Sequence, residues 1–117
     1  MRGDSVKLEK NLLKKYIPMT ETTYYTLLSV IEVRHGYAVM QFVSKITNER
    51  IKPGTGTLYT MVGRLTTDGL ITIVDNDSGK KSYQITELGM ELLQLETERL
   101  QSQLKDGKQI LGEEKHE

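Results

Sequence analysis

The most regular pattern of apolar and polar positions in the chain lies between Lys52 and Gly69. Four apolar residues recur there at the i, i+3, i+4 and i+7 spacing of one helix face, namely Leu58, Met61, Val62 and Leu65. The opposite face carries short polar groups and one cation, namely Thr57, Thr60, Gly63, Arg64 and Thr67, with Tyr59 at its edge. The pattern predicts an amphipathic helix over residues 54–67, capped by Thr55 or Thr57, that buries its apolar face.

The segment after this helix predicts a β-hairpin. Residues 70–74 and 81–85 are β-prone runs, and the sequence DNDSG between them favours a turn. Lys80 and Lys81 stand where the second strand leaves the turn, beside Tyr83, so the hairpin presents two ammonium groups. A helix followed by a basic hairpin is the order of elements in a winged helix.

Two further helices are predicted upstream, over residues 20–34 and 37–47, and Gly36 marks the end of the first. The apolar residues with helical spacing are Tyr24, Leu27, Leu28 and Ile31 in the first helix and Val39, Phe42, Val43 and Ile46 in the second. Three short helices can bury their apolar faces against one another, and a two-stranded hairpin gains support by packing beside them. The predicted fold class is therefore α+β, mostly α, with a winged helix-turn-helix.

The longest predicted helix begins after Thr86, a favourable N-cap residue, and continues to Gly107 or Leu111. The four-and-three spacing of a coiled-coil seam is followed by Leu93, Thr97, Leu100, Leu104, Gly107 and Leu111. A helix of this length overhangs so small a domain, which predicts that it meets a second copy of the chain in a homodimer. The alternative is that the helix folds back over its own domain.

These elements divide the chain into four parts. We predict an N-terminal extension over residues 1–18, with a short helix over residues 6–16, followed by a winged-helix DNA-binding domain over residues 19–86. A C-terminal dimerisation helix is predicted over residues 87–112 and a frayed tail over residues 113–117. A chain of 117 residues is one domain's worth, and the absence of cysteine excludes disulfides and thiolate metal ligands. Neither a signal peptide nor a membrane span is recognisable, so we expect a cytoplasmic protein without a membrane partner.

The formal net charge is zero, but the charges are unevenly distributed along the chain. Residues 34–83 hold seven basic and four acidic side chains, whereas residues 84–117 hold four basic and eight acidic ones. A phosphate polymer would be attracted to the first segment and repelled by the second, which would orient its approach. The alternative is that most of these charges only solvate the surface.

Catalysis requires convergent groups that this chain lacks. Its two histidines are His35 and His116, and no nucleophile has an evident base. His35 precedes Gly36 at a helix junction, where its ring could bind a helix-end carbonyl or approach a phosphate. The glycine-rich segment GTGT lacks the Lys-Ser or Lys-Thr ending of a nucleotide-binding loop. We therefore expect no enzyme activity, no cofactor and no metal.

Three stretches of the chain resemble the PadR family of bacterial winged-helix transcriptional regulators. They are HGYAVMQFV, KPGTGTLYTMVGRLTTDGLI and GKKSYQITELG followed by the long helix, so the resemblance spans about residues 19–111. PGTGTLY with the following RL and GLI is its most specific part. The short C-terminal region is similar to the smaller PadR subfamily.

The resemblance implies a dimer built through the C-terminal helix, with two recognition helices in successive major grooves. By matching position, the residues that would face DNA are Tyr37, Thr55, Gly56, Thr57, Tyr59, Thr60, Arg64, Lys80 and Lys81. Dimerisation would involve Leu93, Leu100, Leu104 and Leu111. Small PadR-type drug sensors stack flat compounds between tryptophans, and this chain has none. An apolar effector would instead lie between the subunits near Leu93, Thr97 and Leu100, unless a closed leucine seam fills that space.

The predicted function is that of a dimeric, sequence-specific DNA-binding repressor. It would recognise an inverted-repeat operator in double-stranded DNA and be released by a small-molecule effector that changes the separation of its recognition helices. The alternative is a winged-helix protein–protein interaction module, in which the small-residue face of the third helix contacts another protein.

Overall fold

The computed structural model describes residues 9–74 and 79–112. Within them the elements are α1 (Lys10–Tyr16), α2 (Glu21–Ser29), β1 (Arg34–His35), α3 (Gly36–Ile46), α4 (Thr55–Thr67), β2 (Ile71–Val74), β3 (Ser82–Ile85) and α5 (Glu87–Leu111). The predicted α+β class, mostly helical with a wing and a long C-terminal helix, is confirmed. The short N-terminal helix is present as α1. Residues 6–8 of that predicted helix, residues 75–78 of the predicted turn and the predicted frayed tail at 113–117 lie outside the described residues.

The first predicted helix, over residues 20–34, is wrong at its C-terminal end. Thr20 caps α2 by accepting the Thr23 N–H at 3.1 Å, but the helix ends at Ser29. The Arg34 Nε donates to the Ser29 carbonyl oxygen at 2.6 Å, so a side chain satisfies a group that a longer helix would have paired. Gly36 consequently does not end this helix and is instead the first residue of α3.

The sheet has three strands rather than the two of the predicted hairpin. Its order is β1-β3-β2 with both pairs antiparallel, and Arg34 lies opposite Tyr83. On the other side of β3, Ile71 pairs with Ile85 and Val74 with Ser82. A third strand was not expected because β1 is only two residues long and carries no period-two pattern.

Helix α4 buries the predicted apolar face. Its four inward residues are Leu58, Met61, Val62 and Leu65, all in the main hydrophobic core. The prediction that Thr55 or Thr57 caps it is wrong, because the N-cap is Gly54 and no side chain accepts a hydrogen bond there. The backbone of Gly54 is extended, and its carbonyl accepts the Leu58 N–H at 2.9 Å.

Thr86 joins the start of α5 to Gly69 and Leu70, which connect α4 to β2. Its hydroxyl accepts the Gly89 N–H at 3.0 Å, which confirms the predicted N-cap of α5. The same hydroxyl donates to the carbonyl oxygens of Gly69 at 2.6 Å and Leu70 at 3.1 Å. Gly89 packs so closely on Leu70 that a Cβ there would overlap the Leu70 carbonyl oxygen. The direction in which α5 leaves the domain is therefore set by backbone contact.

Only the first part of α5 packs on its own domain. Leu92 and Leu93 belong to the core, and the Thr97 hydroxyl lies 2.7 Å from that of Tyr24 on α2. Beyond Leu100 the side chains are exposed, with Leu104 at 58% and Leu111 at 70%. The helix is about 37 Å long at about 1.5 Å per residue. It does not fold back over the described part of the domain.

Leu93 occupies a different place from the one predicted for a seam residue. Its side chain is 3% exposed and packs in the core of its own protomer. Among the predicted seam and effector positions, Leu100 is half-buried, while Thr97, Leu104 and Leu111 are exposed.

No helix in the described part of the chain is long and apolar enough to cross a membrane.

Replacing Gly89 by alanine is expected to lower the free energy of unfolding by about 1–3 kcal/mol, because the new methyl group would meet the backbone of Leu70, just before β2. Chemical denaturation at fixed protein concentration measures the change. Gly63→Ala is the matched control, since its Cβ would enter open space on α4 and should stabilise the helix by about 0.5–1 kcal/mol. Equal effects of the two substitutions would contradict the packing described for Gly89.

Candidate nucleic-acid interface

The outward face of α4 presents small, uncharged polar groups. Every α4 residue predicted to face DNA is exposed, namely Thr55, Gly56, Thr57, Tyr59, Thr60 and Arg64. Arg64 is the only charged residue of the helix, and no carboxylate occurs between Thr55 and Thr67. A phosphate surface could approach this face without meeting a like charge.

A cavity of about 470 Å³ lies beside α4, where the start of α3 faces the wing. Its lining residues are His35, Gly36, Tyr37, Ala38, Tyr59, Lys80, Lys81 and Tyr83. Four of the residues predicted to face DNA thus line one cavity, although Tyr37 lies on α3, Tyr59 on α4, and Lys80 and Lys81 on the wing. Tyr37 is 67% exposed at the second residue of α3, and both lysines are exposed. The cavity combines hydrogen-bond donors with positive charge, as an anion-binding surface requires.

Gly36 allows Tyr59 to lie across the start of α3. A Cβ built on Gly36 would be 2.5 Å from the Tyr59 hydroxyl oxygen and 3.0 Å from the ring carbon that bears it. Glycine is therefore needed here for close approach. The 48% exposure of Tyr59 shows that the ring covers this position while keeping much of its surface in solvent.

Within the described residues the His35 ring makes no hydrogen bond to a helix-end carbonyl, which was one of the two contacts weighed for it from the sequence. Its Nδ1 lies 2.7 Å from the Ser82 Oγ, so the ring joins β1 to β3. The residue occupies the N-cap position of α3, but its side chain makes no capping hydrogen bond. Its pairing with Ser82 could not be anticipated, because the two residues are 47 positions apart.

Several cations of the basic segment are already paired with carboxylates. Arg50 is 2.6 Å from Glu21, and Lys52 is 3.5 Å from Glu49. The guanidinium of Arg34 lies over the Phe42 ring, with 4.5 Å from its carbon to the ring centroid. The cations on α4 and on the wing beside it are Arg64, Lys80 and Lys81.

A second cluster, unexpected from the sequence, ties α1 to the end of α4. The Tyr16 hydroxyl donates to Asp68 Oδ2 at 2.6 Å, and the Lys15 ammonium is 2.8 Å from the same oxygen. The Arg64 guanidinium carbon lies 5.6 Å from the centroid of the Tyr16 ring. Tyr16 is 3% exposed and Asp68 is the C-cap residue of α4. The sequence feature that could have indicated this contact is the tyrosine at the end of the lysine-rich helix α1.

The contacts of this cluster perturb both acidic groups. Hydrogen bonds from Lys15 and then Tyr16 hold the pKa of Asp68 below its usual value. Burial, followed by the hydrogen bond to Asp68, raises the pKa of Tyr16 to about 12. Both shifts favour the same state, an ionised carboxylate facing a neutral phenol.

The fold is that of a winged-helix protein. The chain belongs to the PadR-like family, since the model of the "Transcriptional regulator PadR-like family" matches residues 26–95, more than half of the chain. The family consists of transcriptional regulators rather than enzymes.

Individual relatives agree with this assignment. The chain is 30% identical over 67 residues to "Transcriptional regulator YqjI" of Escherichia coli (strain K12), covering 57% of this chain and 32% of the relative. It thus spans about a third of the length of the curated relatives it matches. A PadR family transcriptional regulator from Eggerthella lenta DSM 2243 superposes with a TM-score of 0.56 at 28% identity, covering 72% of this chain and 70% of that one.

A third relative was solved with nucleic acid bound. The structure titled Bacillus subtilis PadR in complex with operator DNA matches with a TM-score of 0.58 at 23% identity. The match covers 66% of this chain and 46% of that one, and it establishes likeness of fold.

Within residues 9–74 and 79–112, no three His, Asp or Glu side chains converge as a metal site would require.

Replacing Gly36 by alanine is expected to displace the Tyr59 ring while changing the free energy of unfolding by less than about 1 kcal/mol, because the ring can swing into solvent. Chemical shifts of the Tyr59 ring protons report the displacement. Gly107→Ala, in open space on α5, is the control and should leave these signals unchanged. Unshifted Tyr59 signals in Gly36→Ala would refute the close packing.

Asp68→Asn should destabilise the protein by about 1 kcal/mol at neutral pH, because Lys15 and Tyr16 lose a charged acceptor. Because the pKa of Asp68 is lower in the native state than in the unfolded state, its ionised form adds to the free energy of unfolding at pH values above the unfolded-state pKa of about 3.9. This contribution is lost as the pH falls through the native-state pKa. The difference from wild type should therefore shrink below about pH 4. Denaturation from pH 7 to 2 measures it, with Asp106→Asn on α5 as the control. A difference independent of pH would exclude ionised Asp68 as its source.

Proposed function

We propose that the protein is a dimeric, sequence-specific DNA-binding repressor that recognises an inverted-repeat operator. The observation that carries this proposal is the outward face of α4, which is uncharged except for Arg64 and adjoins a lysine-lined cavity. A helix of this kind fits the major groove, where threonine, tyrosine and arginine can contact base edges.

The start of α4 is well suited to lie against the DNA backbone. Gly54 provides no capping side chain, so N–H groups of the first turn keep their hydrogen-bonding capacity for an external acceptor. Gly54 and Gly56 add no side-chain bulk, and their neighbours Thr55 and Thr57 offer exposed hydroxyls. These four residues would let a phosphate or base edge come within hydrogen-bonding distance.

The cavity beside α4 would contact the sugar-phosphate backbone. Tyr37 would donate its hydroxyl to a phosphate at the start of α3, and Lys80 and Lys81 would neutralise phosphates along the wing. Tyr59 connects this backbone-binding surface to α4, because its ring lines the cavity while its backbone belongs to the recognition helix. Phosphate contacts would therefore set the register of α4 in the groove.

The distal part of α5 would form the dimer interface. Its exposed apolar side chains at Leu104 and Leu111, with half-buried Leu100, match a helix-to-helix seam, whereas Leu93 supports it from within the core. Two protomers related by a twofold axis would place their α4 helices about 34–36 Å apart, one turn of DNA. The structure of Bacillus subtilis PadR in complex with operator DNA supports DNA as the partner.

Release from DNA would follow from a change at the same interface. A small apolar effector held between the protomers near Leu100 and Thr97 would alter the angle between the α5 helices. Because Thr86 and Gly89 contact Gly69 and Leu70, in the connection between α4 and β2, that change would move α4 relative to its half-site. Misalignment of the second half-site would weaken the complex.

A protein–protein interaction module is the second candidate, favoured by the zero net charge of the chain. The two functions differ in their dependence on salt, since DNA binding releases counterions and interaction between neutral protein surfaces does not. A protein-binding module would show no measurable affinity for duplex DNA at low salt.

Alanine substitutions on the wing and on α4 should affect DNA binding in different ways. Lys81→Ala should weaken binding to all duplexes and reduce the salt slope by about one, as expected for one lost phosphate contact. Arg64→Ala should cost about 1–3 kcal/mol on a duplex selected by the wild-type protein and relax preference at one base pair. Lys105→Ala, an exposed α5 lysine, is the control for charge. Fluorescence anisotropy at several salt concentrations measures all three, and unaltered binding in both interface variants would reject the proposed surface.

A further inference from the structure

The N-terminal helix α1 lies outside the family match, which begins at residue 26, yet it contacts the recognition helix. Tyr16, its last residue, is 3% exposed and belongs to the main core. Its hydroxyl reaches Asp68, 52 positions later in the chain, at the C-cap of α4. The extension is therefore built into the domain at the end of the helix that we propose enters the groove.

A single carboxylate oxygen holds the two helices together. Asp68 Oδ2 accepts the Tyr16 hydroxyl at 2.6 Å and lies 2.8 Å from the Lys15 ammonium. This arrangement fixes both the position of the Tyr16 ring and its tilt, because the ring is buried and its hydroxyl is bound. A residue outside the family match thus presents a rigid aromatic face beside α4.

Arg64 lies over that face. Its guanidinium carbon is 5.6 Å from the centroid of the Tyr16 ring, within the range of a cation–π contact. Arg64 is the only cation of α4, and it projects from the exposed side of the helix. An arginine side chain loses considerable rotamer freedom when it binds, and stacking on a fixed ring removes part of that freedom in advance.

We propose that Tyr16 is a positioning residue for DNA recognition, and this rests on the proposed function: its ring holds the Arg64 guanidinium in the orientation that contacts a base edge. The helix α1 is then a part of the recognition surface although it touches no DNA itself. Asp68 acts one step further away by locking the Tyr16 ring through its hydroxyl. The specificity of the protein would depend on a segment that precedes the family domain.

A double-mutant cycle on the full chain tests this inference. The variants are Tyr16→Leu, Arg64→Ala and the pair together, and the probe is a duplex selected from random DNA by the wild-type protein. Tyr16→Leu should weaken binding about five- to tenfold in the wild-type background, the range expected for loss of a cation–π contact. In the Arg64→Ala background it should have no further effect, because the group it positions is gone.

Two further variants separate positioning from folding. Tyr16→Phe keeps the buried ring but loses the hydroxyl bond to Asp68 that locks it, so its affinity should lie between those of Tyr16→Leu and wild type. Leu27→Val, a core substitution on α2 that removes none of the contacts to Asp68 or Arg64, controls for general loss of stability. Affinities are compared at a temperature where circular dichroism shows every variant to be folded. A repeated selection with Tyr16→Leu should relax the same base pair as Arg64→Ala and leave the other positions unchanged.

The outcomes distinguish this inference from the proposed function. If Arg64→Ala alters neither affinity nor base preference, the assignment of Arg64 to the DNA surface fails, and the role of Tyr16 fails with it. Suppose instead that Arg64→Ala weakens binding. The inference about Tyr16 alone is then overturned if Tyr16→Leu leaves affinity unchanged, weakens it equally in the wild-type and Arg64→Ala backgrounds, or strengthens it. Strengthening would mean that the ring withholds Arg64 from DNA.

Discussion

The burial of one face of α4 is the constraint on which the rest of the structure depends. Leu58 and Leu65 are fully buried, and each contributes about 1.5–3 kcal/mol by leaving water. Turning the helix about its axis would expose these leucines and bury threonine hydroxyls without partners, so the apolar contacts fix which side chains face outward. The polar surface that we propose for DNA is therefore a consequence of core packing.

Contacts at both ends of α4 fix its position relative to the neighbouring elements. At its start, Tyr59 lies across Gly36 and so relates α4 to α3 and the wing. At its end, Asp68 binds Tyr16, while the next residue, Gly69, accepts a hydrogen bond from Thr86. Helix α4 is thus connected to α1 and to α5, and a change in the angle of α5 would be carried to α4 through backbone contacts.

Electrostatics has a smaller and more local role than the basic segment suggested. Arg50 and Lys52 are paired with carboxylates, and Arg34 covers an aromatic ring while bonding a helix-end carbonyl. What distinguishes the proposed surface is the exclusion of acidic groups from α4 rather than an excess of cations. A chain of zero net charge can present such a surface because its acidic residues concentrate towards the C-terminus.

The sequence by itself determined the helices α3, α4 and α5, the strands of the wing, the N-cap at Thr86 and the face of α4 that is exposed, because these follow from periodicity and capping within a few residues. Only the tertiary structure decided that α2 ends at Ser29, that β1 adds a third strand and that Leu93 belongs to the core of its protomer. The same holds for the contact between Tyr16 and Asp68. Each of these features depends on groups distant in the sequence, whose meeting is set by the packing of whole elements and leaves no local pattern.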